Sequence, residues 1–291
     1  MRQFAFSFVL LMSLLCNAAK SNTLELPVPT RNAVSGSHFD ITTVRKEDGK
    51  LVGEYLEHLS NAWDLLFAEF TKSVPGTVSP DTRIVPAQQR HRVILYRNQR
   101  EYIDNLRRIE PDIARTNGLY HAPRKTAYFF STEAKILFHE GTHQILAERF
   151  FHEKKPTFRN NFWAVEGIAL VMETLKIEDK HYKIGDTLAN RLYAAKKYRF
   201  EHNHNLPIQQ LVAMSAPEIQ TSKDLQPIYS QSATLTHWLM FAEEGRYRGV
   251  LFELLRRTYR DEATPETLSK LTGLSYEELD KKYAEFLTTI P

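Results

Sequence analysis

The stretch ILFHEGTHQIL, residues 136–146, carries His139, Glu140 and His143 inside a run with no other charge. On a helix, residues four apart share one face and lie about one turn from each other. Ile136, Leu137, Phe138, Gly141, Thr142, Gln144 and Ile145 are all uncharged, so this helix is built to be buried. A solvated helix can carry two histidines without consequence. A buried one cannot, because enclosing two imidazoles and a carboxylate without partners costs on the order of several kcal/mol. A metal ion removes the conflict. Two imidazoles on successive turns can meet one tetrahedral zinc at about 2.0–2.1 Å. Glu140, one residue along, then flanks the ion and is placed to take a proton from water there as a general base.

Cysteine usage limits the other donors. Cys16 is the single cysteine, and it lies in MRQFAFSFVLLMSLLCNAAKS. Arg2 gives a positive start, an apolar run follows from Phe4 to Cys16, and Ala18 and Ala19 are small. This is the pattern of a secretory signal peptide over residues 1–19, cleaved after Ala18 or Ala19. Export to the periplasm or beyond the cell is therefore expected. The run is too short to span a bilayer and no later segment reaches about 18 apolar residues, so no transmembrane segment is expected in the mature chain. Lipid attachment at Cys16 is disfavoured, because the preceding residue is Leu15 where such signals place a small one. Cleavage after Ala18 leaves no thiol, so a metal must be held by His and carboxylate alone.

A catalytic zinc needs a third protein ligand and an open fourth position. A third histidine in His-x-x-Gly-x-x-His is excluded, because positions 146 and 149 are Leu and Arg. The alternative is a glutamate from a following helix. NNFWAVEGIALVME, residues 160–173, offers Glu166 after enough intervening chain for a loop and a reversal. Phe162, Trp163, Ala164, Val165, Ile168 and Ala169 around it are apolar, which argues against a solvated carboxylate.

HEGTHQIL followed by FWAVEGIAL resembles the peptidase MA-like gluzincins, zinc metallopeptidases with His-Glu-x-x-His and a downstream Trp-x-x-Glu-Gly-x-Ala. The resemblance implies zinc bound by His139, His143 and Glu166, with Glu140 as general base. It extends over residues 38–288 only as an order of elements. One departure stands out: thermolysin-type enzymes have an Asp four residues after the third ligand, to orient a ligand histidine, and here that position is Leu170. In zincins the strand bordering the cleft pairs with the substrate backbone. The resemblance assigns that role to the strand at 117–121, with Gly118, Leu119 and Tyr120 as substrate contacts. An oxyanion donor besides zinc is expected from the helical part: Tyr229 first, then His237, although a satisfied histidine on a buried helix also explains His237.

The rest of the chain is consistent with one catalytic domain. Residues 20–37 are polar with two prolines and read as an extended leader. A strand at 38–43, a helix at 51–71, a loop at 74–87, a strand at 91–98 and a helix at 99–109 follow. Two β-rich runs flank APRK within 117–130, a hairpin with a four-residue turn. Ser131 or Thr132 caps the motif helix, 131–151, with Glu133 in its first turn. Helices are then expected at 162–175, 185–200, 229–244, 247–260 and 276–288. The fold class is α+β: a zincin-like, two-lobed domain over 38–291, with a mixed sheet and helices over 38–151, a mainly helical lobe over 152–291, and the cleft between them.

Charge excludes little but is informative. A net charge of +3, with no run of five or six like charges, gives no argument for nucleic acid. KKYR at 196–199 reads as a solvated helix face, and His202 and His204 in EHNHN as an exposed loop. The expected function is an exported peptidase with Zn2+ as cofactor and a peptide or protein as substrate. Its rivals are a zinc hydrolase of non-peptide amides or peptidoglycan links, and a binding protein that kept the fold without turnover. The residues specify no oligomeric state.

Overall fold

The computed structural model describes residues 32–73, 90–150, 156–178, 181–185 and 190–290. The signal-peptide and lipidation readings at 1–19, the leader up to residue 31 and the loop at 74–87 lie outside the described residues. Among the described residues no helix is long and apolar enough to cross a membrane.

The fold is α+β. The described residues divide into two compact units, those of 32–60 with 90–145, and those of 61–73 with the described residues of 146–290.

The first unit is built on a mixed sheet. Its strands among the described residues are β1 (Asn32–Ser35), β2 (Phe39–Thr43), β3 (His91–Leu95), β4 (Gly118–His121) and β5 (Thr126–Phe129), in the order β1-β2-β3-β5-β4. β2, β3 and β5 run parallel, while β1 and β4 pair antiparallel at the two edges. Parallel neighbours need crossover connections. The helices along them are α1 (Lys46–Ser73), between β2 and β3, and α2 (Gln99–Leu106), between β3 and the hairpin. β2 alternates between buried and half-buried residues, whereas Val93, Ile94 and Leu95 of the central β3 are all buried, as a strand covered on both faces requires. Ile94, Tyr96, Tyr102, Leu106, Ile113, Leu119 and Tyr128 form one apolar cluster on this sheet.

Two sequence expectations shift here. Residues 32–35, read as part of a leader, form β1, because backbone pairing with β2 supplies what their composition lacks. The motif helix α3 spans Ala134–Phe150, so Glu133 precedes its first turn, and the Ser131 hydroxyl accepts the Glu133 N–H at 3.1 Å. The hairpin is as expected: Ala122 to Lys125 join β4 to β5, with Lys125 in the left-handed region at φ 47°. α3 is seated on the sheet by the Gln144 amide, which donates to the Arg92 carbonyl at 3.1 Å, and by the Tyr55–Phe138 edge-to-face pair.

The second unit is mainly helical. After α4 (Phe162–Met172) come a small antiparallel hairpin, β6 (Lys176–Glu178) and β7 (His181–Lys183), and then α5 (Asn190–Phe200), α6 (Ile208–Ala213), α7 (Ala216–Gln220), α8 (Leu225–Phe241), α9 (Arg248–Tyr259), α10 (Thr267–Thr272) and α11 (Tyr276–Thr289). Of the helix expected at 185–200, the described part is Asn190–Phe200, and the one expected at 229–244 runs from Leu225 to Phe241. α4 is buried along its whole length and packs on α8 and α9. Phe67, Phe70, Phe150, Phe252 and Tyr259 form an aromatic core, with Phe70 and Phe252 stacked at 4.5 Å.

Candidate metal centre

α3 carries His139 and His143 one turn apart, with ring centroids 4.8 Å from each other. Both are buried, at 3% and 0% exposure, and Glu140 between them is 1% exposed. α4 carries Glu166, which is fully buried. The start of α4 is held by Asn161, itself in the left-handed region at φ 55°. Its N–H donates to the Val212 carbonyl at 2.8 Å, its amide nitrogen to the Thr264 carbonyl at 2.9 Å, and its amide oxygen accepts the Trp163 indole N–H at 3.4 Å. The tryptophan of FWAVEGIAL is thus tied into the turn that launches Glu166's helix.

Among the described residues, His139, His143 and Glu166 form the one group of three or more metal-ligating side chains, with ligand atoms all within 4.8 Å of one another. This group could hold a metal ion. The donor chemistry fits: two imidazoles and one carboxylate, all sequestered from solvent. Burial, and then the neighbouring His139, holds the His143 pKa well below the ordinary histidine range. The imidazole is therefore kept neutral, which is the ligating form.

Glu140 is fixed from the sheet side. The main-chain N–H of Tyr120 donates to Glu140 Oε2 at 2.8 Å. β4 therefore supplies a main-chain donor to the glutamate beside the metal group, a contact that no residue pattern announces. Of the expected strand residues, Gly118 lies against the Glu140 side chain, Leu119 points into the apolar cluster of the sheet, and Tyr120 contributes its backbone.

Tyr229 is buried on α8, with the Arg191 guanidinium 6.0 Å from its ring centroid. His237, two turns further on, has Nε2 2.9 Å from the Gly185 carbonyl oxygen and packs its ring on Phe241 and Phe286. Those contacts engage the ring and its Nε2 within the helical unit. His202 is exposed and His204 half-buried, and both rings lie beside Tyr198. Sequence reading missed Tyr259. This buried phenol on α9 is pushed well above its ordinary pKa, first by burial and then by the Glu166 carboxylate, which puts it in the electrostatic surroundings of that carboxylate.

No family model matches this chain, and no curated protein matches it.

Proposed function

We propose that the protein is an exported zinc-dependent peptidase of gluzincin type. The observation that carries this reading is the buried group of His139, His143 and Glu166 with Glu140 beside it on the same helix. Two nitrogens and one carboxylate oxygen, with no thiolate, make the donor set of a hydrolytic zinc rather than a structural one. When bound, zinc would polarise the scissile carbonyl and lower the pKa of water towards ~7.

The chain's own residues supply the rest. His139, His143 and Glu166 hold the ion. Glu140 takes the proton of the attacking water on its carboxylate and later delivers it to the leaving amine. The Tyr120 N–H keeps that carboxylate in one orientation. β4 is an edge strand, which suits strand addition by an extended peptide. Gly118 and the Tyr120 carbonyl would serve through the main chain on the outer side of β4, since the Tyr120 N–H is held by Glu140 and Leu119 is committed to the core. Tyr229 is assigned as the oxyanion donor, with His237 as the next choice. A signal peptide at 1–19 would direct export, and mass spectrometry of the mature N-terminus reads it directly.

The deciding experiment combines metal analysis with hydrolysis assays on a mixed peptide library and on cell-wall fragments. About one zinc per chain with cleavage of peptides is expected. Cleavage of cell-wall fragments alone would move the substrate class. Bound zinc with no hydrolysis of either would favour a binding protein, and absence of zinc would overturn the reading.

A further inference from the structure

We infer that Gly118 is a positioning residue for Glu140: its missing side chain lets strand β4 hold the glutamate through backbone alone. The inference rests on the reading of Glu140 as general base and deepens it.

A glycine in a strand is usually explained by a bulge, a turn or a close approach. Gly118 is in regular antiparallel register with Phe129, and it is not among the glycines with positive φ, which are Gly185, Gly245 and Gly273 among the described residues. Conformation therefore does not require it; space does. A Cβ at position 118 would stand 3.0 Å from Glu140 Cγ, 3.0 Å from Ile136 Cγ2 and 3.2 Å from Phe129 Cδ1. Ile136 and Glu140 are one turn apart on α3, so position 118 is where the helix crosses the strand.

Two residues along lies the donor. Residues i and i+2 of a strand share an orientation, so Gly118 and Tyr120 present their main chain to the same side. Glu140 passes over Gly118 and ends with Oε2 on the Tyr120 N–H at 2.8 Å. The two positions act together: one clears the path of the side chain and the other anchors its end. A main-chain donor cannot be deleted by substitution, only displaced. The residue through which the arrangement is vulnerable is therefore 118. A side chain there must push Glu140 by a few tenths of an ångström or move α3 off the sheet. General-base catalysis depends on such placement, and a misplacement of about 1 Å can cost roughly 10²-fold in rate.

The test uses the full mature protein with its metal. Gly118→Ala is expected to lower kcat about tenfold with zinc content unchanged, and to speed hydrogen exchange at the Tyr120 amide. Because Ile136 crowds position 118 as closely as Glu140 does, the pair Ile136→Ala and Ile136→Ala/Gly118→Ala removes that contact and leaves those with Glu140 and Phe129. The double variant should keep the kcat loss that Ile136→Ala alone does not show. Independently of activity, Tyr120 exchange should be as slow in Glu140→Gln as in wild type, since an amide oxygen still accepts, and about tenfold faster in Glu140→Ala. Wild-type kcat and Tyr120 exchange in both Gly118→Ala variants would overturn the proposal, as would equal Tyr120 exchange in Glu140→Ala and wild type. Should the wild-type protein cleave no peptide, the peptidase reading fails, while the exchange measurements still decide whether β4 holds Glu140.

Discussion

Gly167 approaches Ser232 so closely that a Cβ on Gly167 would lie 2.6 Å from the Ser232 carbonyl oxygen. The same Cβ would stand 2.2 Å from Thr236 Oγ1, one turn further along α8. α4 and α8 therefore meet with the Gly167 backbone against both the Ser232 main chain and the Thr236 side chain, and both helices are buried at the contact. Gly167 follows Glu166 directly, so this contact fixes the helix that presents Glu166 to the two histidines.

Gly167→Ala should accordingly destabilise the protein. Neither obstacle yields cheaply, since one is main chain and the other belongs to a β-branched residue with restricted rotamers. Overpacking of this kind typically costs about 1–3 kcal/mol. Urea unfolding should show a lower midpoint with an unchanged slope. An unchanged midpoint would show that α4 and α8 separate without penalty.

The parts of this structure that were legible in the sequence are those with a long, one-sided signal. α3 and α4 were readable because an otherwise uncharged run holding His139, Glu140 and His143, and an apolar run holding Glu166, each contradict themselves unless something binds those residues. β1 was not, since Asn32–Ser35 has no alternation and owes its form to pairing with β2. The hairpin of β6 and β7 is largely exposed and carries no apolar pattern to detect. α6, α7 and α10, at five or six residues each, are too short for helical periodicity to register. α7 did have a usable signal, because Ser215 and Glu218 form a capping box at its start. In the site, the three residues of the group that could hold a metal were legible, the two histidines from their spacing and Glu166 from its apolar neighbours. The Tyr120 donor could not, because a backbone N–H has no residue signature. Tyr259 comes within the influence of Glu166 only because α9 packs on α4.

The mature protein should contain about one zinc per chain, removable by a chelator. His139→Ala, His143→Ala and Glu166→Ala should each reduce its affinity by more than the roughly 10–100-fold typical of losing an outer hydrogen-bond partner. Elemental analysis and competition with a chromophoric chelator read this directly. Normal zinc in all three variants would remove the assignment of the site.

Burial lowers the His237 pKa, against the opposing effect of its bond to the Gly185 carbonyl. The sign of the consequence follows from linkage. Above the unfolded value of about 6.5, neither state holds the proton and His237 contributes nothing to pH dependence. As pH falls through about 6.5 the unfolded chain takes up the proton first, so native stability is lost until the lower folded pKa is reached. His237→Gln removes this loss. Between about pH 7.5 and about pH 5.5, the wild-type urea midpoint should fall further than that of the variant. Equal falls would mean that His237 titrates alike in the folded and unfolded chain.

Glu140→Gln should abolish hydrolysis while leaving zinc in place. Glutamine keeps the length and shape of the side chain, and its oxygen can still accept the Tyr120 N–H now held by Oε2 at 2.8 Å. Orientation and packing against Gly118 are therefore preserved. What is lost is the capacity to accept a proton. Removing general-base catalysis alone typically costs about 10²–10⁴ in rate. Zinc should remain because His139, His143 and Glu166 are untouched, and the fold should survive because the substitution adds no volume at a buried position. kcat and zinc stoichiometry measured on one preparation separate the outcomes. Near-wild-type turnover with zinc bound would mean that another group takes the proton. Loss of zinc along with activity would make Glu140 part of the metal's support, and its role as base would have to be withdrawn.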